Sequence, residues 1–184
     1  MFVIPSHKFQ VSNWEEKKSL LYKLYDNAQL TNNDPESNVH TDFTQGNYID
    51  DVCNILNDDI VRFCYEFKLQ DVRIKRVWFQ RYNDGQFHQP HNHGPRGWSC
   101  ILYVKFDPTV HEATRFIAPF YDLLGNPIAY TPEVKEGTIL FFPSMLLHYV
   151  SPTKTDKTRV ILSFNLEEVN RPDPNRPYFY KDNQ

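Results

Sequence analysis

A change of period at residue 71 constrains the fold of this chain more than any other feature. Before that point apolar residues recur at helical spacing; after it they alternate. Ile74, Arg76, Trp78, Gln80 and Tyr82 alternate with Lys75, Val77, Phe79 and Arg81, which predicts a strand with two different faces. Asn83-Asp84-Gly85 ends it with a turn signature, and further strands are predicted at about 98–106, 113–120, 127–130, 138–142, 147–151 and 158–165. Gly125-Asn126-Pro127, Glu136-Gly137 and the polar run 152–157 supply the intervening turns. Short strands in such succession bury their apolar faces as an antiparallel double sheet or jelly roll.

Ahead of the strands, Trp14, Leu20, Leu21, Leu24, Tyr25 and Leu30 predict an amphipathic helix over 14–29, with Ser12-Asn13-Trp14-Glu15 as its capping box. Val52, Cys53, Leu56, Ile60, Phe63, Cys64 and Phe67 form one broad stripe and predict a second helix over about 48–68. The polar stretch Thr31 to Gly46, with the turn signal Asn32-Asn33-Asp34-Pro35, is expected to be an exposed loop. Lys8-Phe9-Gln10-Val11 is expected to be an edge strand, with Pro5 keeping it from the sheet interior. The fold class is therefore α+β. One domain is expected over 1–184, with 1–70 as helical support packed against one sheet, 71–166 as the strand core and 167–184 as a proline-rich extended tail.

The net charge of −3 gives no electrostatic footprint for nucleic acid, and no segment suggests a membrane surface or span. A small or peptide-like partner is expected instead. Met1-Phe2-Val3-Ile4-Pro5 is too short and uncharged for a signal peptide, so a cytoplasmic location is expected, the host cytoplasm if the chain is viral. Cys53, Cys64 and Cys100 are odd in number and far apart in apolar surroundings, and are expected to be buried thiols.

The chemistry concentrates in Gly85-Gln86-Phe87-His88-Gln89-Pro90-His91-Asn92-His93, which holds three of the seven histidines; no Asp or Glu occurs from Gly85 to Phe106. In extended chain His91 and His93 point to one face, which suits two ligands of one metal ion. His148, after the apolar run 139–147, is the candidate third ligand. Three nitrogens on one face leave coordination positions open, and imidazole suits iron, zinc, copper and nickel alike. If the turn at 152–157 is symmetric, His148 pairs with Ile161 and lies diagonal to Arg159. Arg159, Ile161, Ser163 and Asn165 then share one face, and Val160, Leu162 and Phe164 the other. An arginine in an otherwise apolar sheet needs a partner, and a bound carboxylate supplies one.

These motifs, taken in order, resemble the 2-oxoglutarate/iron(II) oxygenase family of bacterial viruses and marine bacteria. The resemblance covers roughly 76–166. It rests on Gly85 to His93, on Trp98-Ser-Cys-Ile-Leu-Tyr103-Val, on Gly137 to Ser144 with His148, and on Arg159-Val-Ile-Leu-Ser163-Phe-Asn165. It implies a double-stranded β-helix and Fe(II) held by His91, His93 and His148. Arg159 would bind the distal carboxylate of 2-oxoglutarate as cosubstrate, with Ser163 assisting and Tyr103 lining the pocket. The implied reaction consumes O2, converts 2-oxoglutarate to succinate and carbon dioxide, and hydroxylates a peptidyl, prolyl-like or small-molecule substrate. The wider superfamily usually carries a carboxylate where His93 stands, and Asp84 at the preceding turn is the only nearby substitute.

The same residues also resemble the cupin pattern, with Gly85 and His91-x-His93 as its first motif and Gly137, Pro143 and His148 as its second. That reading keeps the barrel and the three histidines but gives Arg159 no cosubstrate; a zinc or nickel enzyme, or a non-catalytic binding module, follows from it. His88 could serve the substrate side of the site, and Arg159 could instead pair with Glu167 or Glu168. His7, His40 and His111 have no converging groups around them in the sequence and are expected to be structural.

Overall fold

The computed structural model describes residues 6–32, 37–70 and 72–168; most of the predicted tail, and Asp34-Pro35, lie outside the described residues. Two helices and ten strands follow in the order β1 (His7–Gln10), α1 (Trp14–Asn27), β2 (His40–Thr41), α2 (Ile49–Phe67), β3 (Val72–Tyr82), β4 (His88–His91), β5 (Trp98–Lys105), β6 (Arg115–Tyr121), β7 (Pro127–Tyr130), β8 (Thr138–Pro143), β9 (His148–Val150) and β10 (Arg159–Glu168). The strands form a six-stranded sheet, β1-β8-β5-β10-β3-β2, and a four-stranded sheet, β4-β9-β6-β7, both antiparallel. Among the described residues no helix is long and apolar enough to cross a membrane.

The large sheet buries both faces. On one side Val77, Phe79, Leu102, Phe141, Leu162 and Phe164 join Leu21, Val52, Leu56 and Phe63 of the helices in one apolar cluster. Phe63 stacks on Phe141 at 4.0 Å between centroids and 7° between planes. On the other side Tyr82, Ile101, Tyr103, Leu140, Phe142 and Ile161 meet Phe116 and Val150 of the small sheet. The strict inside-outside alternation of β10 therefore separates a helix-facing core from a sandwich interior. Ile74 departs from the predicted alternation. It belongs to the helix-side cluster with Val77 and Phe79, because the β3–β10 register shifts between Asn165 and Leu166.

The capping box does not form. Asn13 adopts a left-handed conformation (φ 49°) and gives no side-chain cap. Ser12 is engaged elsewhere: its backbone N–H donates to Asp59 Oδ1 at 3.0 Å, and its hydroxyl accepts from Lys17 Nζ at 3.0 Å. Lys17 and Asp59 make a buried ion pair at 2.6 Å that ties α1 to α2. Glu15 and Glu16 in the first turn complement the helix N-terminus instead.

The predicted exposed loop 31–46 is also corrected where it is described. Val39 is 1% and Asp42 3% exposed. His40–Thr41 adds a short edge strand to β3, and Thr31 bridges back to Thr41. The Asp42 carboxylate anchors the segment by accepting from Phe79 N (2.8 Å) and Tyr48 Oη (2.7 Å). Polarity signalled a loop, but its polar groups bond inward to β3 rather than to water.

Of the three cysteines only Cys100 is fully buried; Cys53 and Cys64 are half-buried on α2, and all three are free.

Candidate metal centre

The hairpin predicted to join His148 to Arg159 is not present. β9 pairs with β4 and β6 in the small sheet, whereas β10 pairs with β3 and β5 in the large one. The run 151–158 crosses between the sheets, so His148 and Arg159 reach the sandwich interior from opposite sides. A turn signature fixes where a chain reverses but not which sheet receives the next strand.

Across β4 and β9, His91 stands directly opposite His148. Directly opposed residues share a face, so both rings enter the interior together. His93 lies two residues beyond the end of β4, where its backbone N–H donates to Ser144 O at 2.8 Å. The position of Ser144 is in turn fixed: its N–H donates to Gly97 O at 3.0 Å, and its buried hydroxyl meets that of Ser99, also at 3.0 Å. Gly97 is left-handed (φ +82°), and a Cβ there would sit 2.5 Å from Leu166 O, so glycine is required at this corner.

The three histidines each offer a nitrogen, and those atoms lie within 4.8 Å of one another. Ring centroids are 4.3 Å apart for His91 and His148, 5.1 Å for His93 and His148, and 5.2 Å for His91 and His93. Nδ1 of His91 bonds Gln89 O and Nδ1 of His148 bonds Leu146 O, both at 2.8 Å. A carbonyl only accepts, so Nδ1 carries the proton in each ring and Nε2 keeps its lone pair. Burial, then the neighbouring His91, then Arg76, push the His93 pKa down to about 4. Burial first, and His91 next, hold His148 well below the usual imidazole range. Neutral imidazoles are the form that binds a metal.

Arg159 is 3% exposed and lies opposite Tyr82 in the β3–β10 ladder. Its guanidinium carbon sits 4.9 Å from the Tyr82 ring and 5.5 Å from that of Tyr103. Nη2 donates to Thr114 Oγ1 at 3.1 Å, whereas Nε is buried without a partner, as is Tyr82 Oη. Among the described residues Arg159 enters no ion pair; Glu167 pairs with Arg73 and Lys75 instead. Leaving a buried guanidinium N–H and a buried hydroxyl without partners costs roughly 1–3 kcal/mol each. Tyr103 is fully buried, and its hydroxyl accepts from Thr114 N at 3.1 Å. Ser163 shares the inner face, but its hydroxyl donates to Gln80 Oε1 at 3.4 Å and not to a group on Arg159. Gln80 bonds His88 Nδ1 at 3.0 Å, and the His88 ring stacks on His91 at 3.9 Å.

Two spaces meet at the histidines. An inner crevice of about 10 Å³ reaches His148, Tyr82, Thr114 and Ser163. An outer cleft of about 350 Å³ runs between His88, Asn92 and His93 on one wall and Val39, Thr41 and Phe43 on the other. Trp78 and Gln80 line both. Asp84 stands apart from the cluster and accepts from Thr155 N at 3.0 Å. His111 is structural, with Nδ1 accepting from Asp107 N and Nε2 bonding Lys157 O.

Residues 76–165 match the sequence profile of the family described as Putative 2OG-Fe(II) oxygenase. Over that segment the chain is similar to this family. Family members are oxidoreductases, and the match includes all three histidines and Arg159. A search of curated proteins finds no match. Among solved structures, a Pseudomonas putida prolyl-4-hydroxylase is similar at 16% identity and TM-score 0.63, covering 91% of this chain and 95% of that one. HygX from Streptomyces hygroscopicus, solved with nickel and 2-oxoglutarate bound, is similar at 12% identity and TM-score 0.64, covering 90% and 84%. A Trichoplax adhaerens prolyl hydroxylase, in complex with a hypoxia inducible factor peptide fragment, is similar at 10% identity and TM-score 0.62, covering 89% and 83%. At these identities the likeness is one of fold, the jelly roll of the 2OG oxygenases.

Sequence reasoning put Tyr82 and Gln80 on the Trp78 face but missed Thr114 and the cleft wall 39–44. Nothing in the sequence pointed to Thr114 or Phe43, which arrive from distant segments.

Proposed function

We propose that the protein is an Fe(II)- and 2-oxoglutarate-dependent dioxygenase, a hydroxylase acting on a peptidyl, prolyl-like or small-molecule substrate. The observation that carries this reading is the buried Arg159, in no ion pair among the described residues and with Nε unsatisfied, on the same interior as three histidines whose ligating nitrogens lie within 4.8 Å of one another. His91, His93 and His148 would hold the metal, which activates O2 once a 2-oxo acid is bound. Arg159, with Tyr82 Oη and Nη2 steered by Thr114, would receive the distal carboxylate. Seating a five-carbon diacid in a crevice with room for about one water requires side chains to change rotamer. Gln80, held by a 3.4 Å contact to Ser163 and by His88, lines both spaces and is placed to move. The aromatic interior around Phe116, Phe142 and Tyr103 excludes water from the inner half of the site. Two structural neighbours are named as prolyl hydroxylases and one holds a peptide, which supports a peptidyl substrate in the outer cleft.

The test is spectroscopic. Anaerobic protein loaded with Fe(II) and 2-oxoglutarate should show the weak visible charge-transfer band of a chelated 2-oxo acid, and Arg159→Ala should weaken it. No band, with metal retained, favours a second reading, a zinc or nickel enzyme of hydrolytic or lyase type. Among the described residues no carboxylate joins the three-histidine cluster, which is the observation behind that alternative.

A further inference from the structure

Two guanidinium groups flank the histidine cluster along β3 and β10, one buried and one exposed. Arg159 is the buried one. Arg76 lies two positions from Trp78 on the same strand and is exposed, with its guanidinium carbon 4.4 Å over the Phe43 ring. Phe43 meets Trp78 edge to face at 5.0 Å and 89°, and Trp78 lies 5.4 Å from the His93 ring. An aromatic path thus leads from His93 through Trp78 and Phe43, which line the outer cleft, to the exposed Arg76. Among the described residues no acidic side chain lines that cleft, and Arg76 enters no ion pair, while the neighbouring Arg73 and Lys75 share Glu167. Stacking holds the guanidinium against Phe43, a ring that lines the cleft, without neutralising it.

We propose that the substrate is an amphipathic anion, with an uncharged body lying on Trp78 and Phe43 beside the metal and a carboxylate held by Arg76. This rests on the oxygenase reading and deepens it. The cleft volume of about 350 Å³ admits a ring with a short chain, the lower end of ordinary ligand pockets. The body supplies contact area, and the charge sets which end enters first. Arg76 is a specificity-determining residue, and Arg159 keeps the cosubstrate's carboxylate from competing for it.

The experiment uses protein loaded with Ni(II) and 2-oxoglutarate, so that ligands bind without turnover. Two matched probe pairs are titrated by calorimetry and by tryptophan fluorescence: 4-phenylbutanoate against 4-phenylbutanamide, and N-acetyl-prolyl-glutamate amide against N-acetyl-prolyl-glutamine amide. In at least one pair the charged member should bind about five- to tenfold tighter at low salt, as a partly exposed charge-assisted contact supplies. Which pair responds tells a free carboxylate from an acidic peptide. Arg76→Gln should abolish the preference, Arg76→Lys should keep part of it, and added salt should erode it. Equal affinity within both pairs, no binding by any probe, or a preference that survives Arg76→Gln overturns the proposal. Wild-type protein that takes up no 2-oxoglutarate overturns the oxygenase reading as well, which separates the two failures.

Discussion

His91 and His148 face each other across β4 and β9, and each holds its own tautomer in the same way, through an Nδ1 bond of 2.8 Å to the carbonyl two residues earlier. Both Nε2 atoms are thereby aimed inward before any metal arrives, so the ordering entropy of two ligands is already spent on folding. His148→Ala should weaken Zn(II) or Ni(II) binding by at least about 100-fold, beyond the effect of losing an outer partner. Asn92→Ala, between His91 and His93 but outside the cluster, should change it less than threefold, on the order of a lost exposed contact. Equilibrium dialysis with a metal indicator decides; equal losses in the two variants would contradict the assignment.

Stability of the metal-free protein should fall on acidification through the imidazole range. Burial holds His93 at a pKa of about 4 and His148 well below its ordinary value, whereas in the unfolded chain both titrate near the usual 6.5. Between those values the unfolded state binds more protons, so stability is complete above about pH 6.5 and declines as pH drops towards 4. For His93 alone the decline is on the order of 3 kcal/mol, from its depression to about 4. Urea midpoints measured from pH 7.5 to 4.5 should show this slope, and His93→Asn should flatten it. A slope unchanged in that variant would mean that other groups carry the acid sensitivity.

The strand pattern and the histidine cluster were legible because both depend on local rules. Period two placed β3, β5, β8 and β10 on the correct residues, and the spacing of His91 and His93 with a distal His148 picked out the cluster that the fold assembles. Whatever depends on long-range pairing was not legible. The crossover at 151–158 puts β9 and β10 in different sheets, the bulge opposite Asn165 moves Ile74 to the helix side, and polar 37–44 buries Asp42 to build a cleft wall. Ser163 was placed on the correct face, but its partner Gln80 could not be seen, since a face assignment says nothing of which side chain on the next strand reaches it.

The helix-side core carries stability independently of the site. Phe63 is fully buried between Phe67, Trp98 and Phe141. Phe63→Ala should cost about 3–5 kcal/mol, the range for a large aromatic removed from a packed core. The variant, kept at low temperature where it remains folded, should bind metal as the wild type does, since His148, with His91 and His93 against it, packs on Phe116 and Phe142 of the other core. Chemical denaturation gives the first number and metal titration the second. Parallel losses in both would show that the two cores are coupled through β3 and β10.

The charge of the centre predicts linkage between metal and cosubstrate. Three neutral imidazoles leave a bound dication uncompensated, and the nearby charges, Arg76 and Arg159, are of the same sign. A dianion relieves both, so 2-oxoglutarate and metal should each tighten the other by the same factor, about tenfold or more, as reciprocity of coupled binding demands. His93→Asp supplies one negative charge from the protein. It should tighten metal binding in the absence of the diacid and shrink the coupling factor. Arg159→Ala should instead tighten metal slightly in the absence of the diacid, by removing a like charge, and weaken the diacid. Calorimetric titrations of metal with and without 2-oxoglutarate, and of 2-oxoglutarate with and without metal, close the cycle. Independent binding in the wild type would mean that the uncompensated charge is neutralised by a group other than the cosubstrate.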